Sequence, residues 1–243
     1  MAREVADLVL LDDDFATIVA AIREGRGIYA NIEKFVRFLL STNAGELMLI
    51  VGGSIGAWAL GMRDASGALF LPLTAAQILW VNFLTDGPPA LAIGVDRNAD
   101  LMRVPPRPPA SPLLDPPSLR FVVLAGGFKA ALSGALLFGL PLLGASLLAT
   151  RTCVFLHTTL AQLLLVYPAR RLGGRVQTNL ALHAAIGFAI ALQFATVLFP
   201  PLRSALGLVV PDAREWLHVA AAVVLTWAGA ETIPMLVRRA RKR

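Results

Sequence analysis

The stretch "ILWVNFLTDGPPALAIG", residues 78–94, decides how the rest of the chain is read. It is apolar enough to enter a bilayer, yet Asn82, Asp86 and the adjacent Pro88 and Pro89 lie near its middle. A carboxylate or amide in hydrocarbon is costly, so its presence there asks for a partner or a cargo. Each proline lacks an N–H, so the carbonyls of Leu84 and Thr85, four residues earlier, lose their helical donors. Gly87 permits a loose turn, and a residue preceding proline avoids helical geometry. The pattern predicts a span that unwinds around 85–89 and offers main-chain oxygen at mid-membrane, as broken transporter helices do.

Working outward, the 243-residue chain is 56% hydrophobic and 16% charged, against about a quarter charged in an ordinary soluble domain. Six long apolar runs carry that excess, at about 38–62, 70–95, 121–149, 152–167, 180–200 and 216–237. Most reach the roughly 20 residues needed to cross a hydrocarbon core, although the fourth is short and polar. The fold class is therefore all-α: a six-span helical membrane bundle over about 35–243, following a short α/β remnant at the N-terminus. A net charge of +6 could suggest nucleic acid, but the basic residues are placed otherwise. Seventeen of the 22 Lys and Arg fall in residues 1–37, 97–120, 170–175 and 238–243. The positive-inside rule puts those segments, and both termini, in the cytoplasm, with the tail "RRARKR" against anionic lipid and no nucleic-acid role. Trp58 and Trp216 fall at the opposite ends of their spans, where aromatic belts occur.

Residues 6–11, "ADLVLL", read as a short buried strand; "DDD" at 12–14 reads as a turn, with Asp14 capping a helix. Gly25 and Gly27 are expected to break that helix, after which "IYANIEKFVRFLL" runs like a stalk into the first span. Residues 1–34 thus look like the end of an α/β domain. The loop 96–117 carries seven prolines and is expected to form a semi-rigid strap between spans or a contact surface. Cys153 is the single cysteine, so no intramolecular disulfide forms, and a small core role suits it. His157, His183 and His218 are not at zinc-ligand spacing.

The polar residues inside the spans recur on shared helix faces. Asn43 and Glu46 are three apart, Asn82, Thr85 and Asp86 fall at i, i+3 and i+4, and Thr158 and Gln162 are four apart beside His157. Apart from the histidine, these groups offer oxygen, which hard cations such as calcium take six to eight at a time. Two readings are open: hydrogen bonding between neighbouring helices, or an ion site, and the pattern alone does not separate pump, channel and secondary transporter. Lys129 sits about nine residues into the third span, where it is expected to snorkel to the cytoplasmic surface or pair with an acidic group. Glu231 is expected to pair with the basic tail.

Together, "ADLVLLDDDFATIVAAIREGRGIYANIEKFVRFLLSTNAGE" and "QILWVNFLTDGPPALAIGVDRNADLMRVPPRPP" resemble the carboxyl-terminal part of cation-transporting P-type ATPases, in the branch of calcium and sodium/potassium pumps. "RTCVFLHTTLAQLLLVY" is similar to that family's eighth span. The resemblance implies that the six spans are the fifth to tenth of a ten-span pump. It further implies that Asn43 and Glu46, then Asn82, Thr85 and Asp86, and finally Gln162 are metal ligands, with Asp86 shared. The amide at Gln162 resembles pumps that carry one calcium or manganese per cycle. Pro88 stands where the family usually has Leu, which should loosen the helix further. The family's phosphorylation, actuator, nucleotide and hinge motifs do not occur in this chain, so ATP and magnesium are expected to act only through domains elsewhere, and no ATPase activity is expected of this chain alone. In a complete pump, phosphorylation would move the stalk and turn the ion site outward, with protons replacing metal on Glu46 and Asp86. Expected partners are the cation, membrane lipid, and a separately encoded catalytic head or a complete pump, in the plasma (inner) membrane. The alternative is a catalytically inactive membrane module that binds or regulates such a pump.

Overall fold

A computed structural model describes residues 9, 14–98, 101–103, 105, 106, 108, 111–172 and 176–240, the last five without their side chains. Of the buried strand expected over 6–11 only Val9 is described, and it is exposed and outside any strand; the rest, with most of the "DDD" turn, lies outside the described residues. From Asp14 onward the chain is helical. Helix α1 runs Phe15–Ala59, α2 Ala75–Gly94, α3 Pro116–Leu142, α4 Leu147–Arg171, α5 Leu180–Leu198, α6 Pro200–Ala205 and α7 Ala213–Ala240, with a 3-10 turn at Leu101–Arg103. No strand occurs among the described residues, only isolated bridges. The all-α membrane class holds.

Capping residues explain where the helices begin. The Asp14 carboxylate accepts from the Ala16 N–H, and Thr74 and Gln77 form a reciprocal capping box. Asp115, Ser146 and Asn179 cap α3, α4 and α5, with Pro116 suited to the first turn of α3. Gly61 and Gly144, with φ of +65° and +91°, stop α1 and α3. In each case the two N–H groups past the end fold back onto the last-turn carbonyls, which needs a left-handed residue.

Two expected helix breaks do not occur. α1 is continuous through Gly25 and Gly27. An interior glycine costs only about 1 kcal/mol, and the turn Leu101–Arg103 braces the helix there, where Arg26 Nη1 donates to the Leu101 carbonyl at 2.8 Å. α2 likewise stays helical across Pro88 and Pro89. Proline's fixed φ suits a helix, and burial of Leu84, Thr85, Pro89, Ala92 and Ile93 holds the segment in place. The expectation of missing donors is unaffected by this, because neither proline has an N–H for the Leu84 or Thr85 carbonyl.

The long helices alternate in direction. At one end, here the stalk end, the segment after α2 meets that between α4 and α5 through the Asn98–Val176 bridge. At the distal end, Arg151 Nε donates to the Leu71 carbonyl at 3.1 Å and Gln77 Nε2 to the Leu206 carbonyl at 3.0 Å. Five helices are long and apolar enough to cross a membrane: α1, α3, α4, α5 and α7. α2 has 20 residues but is diluted by Gln77, Asn82, Asp86 and its prolines. The fourth run proves longer than it reads, as a 25-residue helix buried on nearly every side. The apolar core is divided. A distal cluster gathers Leu49, Val81, Leu137 and Phe155, and a stalk-end cluster gathers Phe38, Leu84, Phe121 and Leu163. Between the two lies a polar layer.

Candidate cation site

The layer is built where α1 and α3 approach most closely. A Cβ on Gly45 would lie 2.8 Å from the Gly126 carbonyl oxygen, and one on Gly126 would lie 2.8 Å from that of Ser41. Such contact requires glycine on both helices. The same Gly45 Cβ would stand 3.2 Å from Lys129 Cε, so the bare backbone also makes room for the lysine stem.

Lys129 therefore does not snorkel. Its side chain is fully buried, and Nζ donates to Gln162 Oε1 at 2.6 Å and to the Thr42 carbonyl at 3.1 Å. Gln162 Nε2 in turn donates to Thr85 Oγ1 at 2.8 Å, and the Thr85 hydroxyl donates to the Val81 carbonyl at 2.8 Å. Four helices are thus linked at one level. Asp86 Oδ1 lies 3.3 Å from Thr85 Oγ1. Lys129 is within electrostatic range of Glu46 and Asp86, but among the described residues no direct ion pair joins it to a carboxylate.

One helical turn toward the distal end the polar groups are unsatisfied. Glu46 Oε2, Asn82 Oδ1 and Thr158 Oγ1 are buried with no hydrogen-bond partner. Helix direction places all three on the same side of the lysine level. Glu46 follows Thr42 by a turn on α1, while Asn82 and Thr158 precede Asp86 and Gln162 by a turn on the oppositely running α2 and α4. Three orphaned oxygens at one depth, each costing free energy while unpaired, suit a ligand that accepts oxygen. Among the described residues no three His, Cys, Asp or Glu side chains form a metal cluster. A cation here would draw on amide, hydroxyl and main-chain oxygen beside the two carboxylates.

The six residues expected as ligands therefore divide. Glu46, Asn82 and Asp86 border the unsatisfied layer. Thr85 and Gln162 have their side chains bonded to each other, with Gln162 also holding the lysine. Asn43 is exposed on the flank of α1. Beyond these, a second buried chain was missed: Ser133 Oγ lies 2.9 Å from His157 Nδ1, and His157 Nε2 lies 3.0 Å from Thr226 Oγ1. Because Thr226 donates its proton to the Ala222 carbonyl, His157 donates from Nε2 and accepts from Ser133. Cys153 is buried, in the small core role expected of it.

The stalk end holds a charged cluster that sequence reading also missed. Asp96 accepts from both Arg170 Nε (3.1 Å) and Nη2, from Lys34 Nζ at 2.6 Å and from Asn179 Nδ2 at 3.1 Å. Asn31 donates to its main-chain oxygen at 2.9 Å. Burial opposes its ionisation, but the bonds from Arg170 and Lys34 outweigh that and hold the carboxyl below the usual range. Nearby, Arg37 is buried and bonded to Ser118, the Ala169 carbonyl and Glu33. Glu231 is bonded to Arg171 at 2.7 Å.

Residues 70–236 match the family described as "Cation transporting ATPase, C-terminus". The chain is 35% identical over 229 residues to a calcium-transporting ATPase of Bacillus subtilis, covering 90% of this chain and 24% of that protein. It is 43% identical over 126 residues to calcium-transporting ATPase 1 of Schizosaccharomyces pombe, covering 51% of this chain and 13% of the relative. A similar enzyme of Yarrowia lipolytica is 43% identical over 117 residues, with 48% and 11% covered. The chain spans about a quarter or less of the length of these relatives.

Proposed function

The chain belongs to the C-terminal family of cation-transporting ATPases, and on that premise we propose that it supplies the membrane ion site of an ATP-driven calcium pump. Glu46, Asn82 and Asp86 provide side-chain oxygen to the ion, Thr158 and the freed carbonyls of α2 complete its shell, and Thr85 and Gln162 form the polar floor beneath it. The observation that carries this reading is the set of buried, unpartnered oxygens on α1, α2 and α4 beside two carboxylates. The names of the relatives support calcium, with manganese as the natural competitor because it is also a hard cation. ATP hydrolysis belongs to domains that those longer relatives would contain. Motion of α1, which runs from the stalk into the site as one helix, would carry the coupling. Basic residues at the stalk end support a cytoplasmic location for that end.

The test is equilibrium binding of radiolabelled calcium to the purified chain in lipid nanodiscs. Saturable binding, competed by manganese and lost in Asp86→Asn, is the expected outcome. Unchanged binding by that variant removes Asp86 from the site, and no binding by the wild-type chain overturns the ion-site reading.

A further inference from the structure

The polar layer contains a cation of its own. We propose that Lys129 is a tethered cation that fills one of two adjacent ion positions, so that the pocket accepts a single divalent ion. This rests on the ion-site reading above and adds to it the residue that sets a one-ion stoichiometry.

Three observations converge. First, the ammonium is fully buried and lies among ion-type ligands, a main-chain carbonyl (Thr42) and a side-chain carbonyl (Gln162), at 3.1 and 2.6 Å. Second, its space is built: a Cβ at Gly45 would stand 3.2 Å from Lys129 Cε, so the glycine leaves room for its stem. Third, the two levels of the layer differ. Around Lys129 the amide and hydroxyl are satisfied, whereas one turn distal the oxygens of Glu46, Asn82 and Thr158 are not. Charge agrees with this division. Ionised Glu46 and Asp86 would carry two negative charges and the ammonium one positive, so a single divalent ion brings the layer to +1, whereas a second would bring it to +3. A second divalent ion would bring a large uncompensated positive charge into a low-dielectric bundle. Lys129 would thus keep the carboxylates tolerable in the empty pocket and repel a second ion from the filled one.

The test has a binding arm and a melting arm, both on the whole chain in nanodiscs. In the binding arm, the wild type should take one calcium per chain. Lys129→Met should bind that ion roughly tenfold more tightly, because a like charge is gone, and Lys129→Met/Gln162→Glu should take two. Two ions in the wild type, or one ion at unchanged affinity in both variants, would overturn the proposal. The melting arm needs no calcium. Lys129→Met should lower the melting temperature of the metal-free protein, and adding Glu46→Gln should recover much of the loss, since the charge left uncompensated is removed. Simple additivity of the two losses, as expected of a purely structural lysine, would overturn it. If no variant binds calcium, the ion-site reading fails by itself, and the melting cycle still decides the role of Lys129.

Discussion

Asp96 is the residue on which most of the stalk-end geometry converges. It receives two cations and an amide while fully removed from water. Removing its charge strands Lys34 and Arg170 in a buried setting, a loss of about 3–5 kcal/mol for a broken buried pair. Asp96→Asn should therefore lower the melting temperature of the chain by several degrees while leaving its helical content intact by circular dichroism. The pH dependence follows from the sign of the shift. A carboxyl held below its unfolded value, about 4, contributes stability that is complete above that value and is lost as pH falls through the lower folded one. The wild type should lose this contribution only below about pH 4, so the gap to Asp96→Asn should be widest at neutral pH and narrow in acid. A constant gap would show that Asp96 acts through packing alone. None of this could be read from the sequence, because an aspartate in a loop carries no penalty until the fold buries it. Asp86 and Glu46 were legible for the converse reason, since a carboxylate within an apolar run is already anomalous.

At the level of elements, the α1–α3 contact sets the depth and rotation at which α3 presents its polar face. Gly126 meets the α1 backbone itself, not a side chain that could swing away. Gly126→Val should force the helices apart, at a cost of about 1–3 kcal/mol for overpacking. It should also weaken calcium binding, because Glu46 on α1 would no longer hold its position relative to the lysine on α3. Melting and calcium titration of the same preparation check both parts, and full calcium affinity in a destabilised protein would separate the contact from the site. Helix identity was largely legible from apolar runs and caps, but two expected breaks failed. A break predicted from Gly25 and Gly27, or from Pro88 and Pro89, weighs local cost only. Capping and tertiary packing along a long helix exceed a few kcal/mol of local preference.

For the whole molecule, alternation of the long helices collects residues 95–98 and 176–179 at one end and the turns at Gly61, Gly144 and Gly207 at the other. With the buried Cys153 replaced by Ala, single cysteines can report which end faces the cytoplasm. Ala65→Cys at the distal end should react with a membrane-impermeant maleimide on intact cells, and Thr178→Cys at the stalk end only after lysis. The opposite pattern would invert the orientation.

What the sequence determined by itself was the class, the approximate spans and the two acidic positions in them, because the cost of polar atoms in hydrocarbon is a property of composition along the chain. What only the tertiary structure decided was which polar groups share a level. Lys129 stood out in the sequence as an anomaly, but its direction depends on helix rotation. That rotation is set by a glycine contact between residues 81 positions apart, Gly45 and Gly126, and local sequence does not encode it. Contact turned the lysine away from the membrane surface and toward Gln162, and so divided one polar layer into a satisfied level and an unsatisfied one.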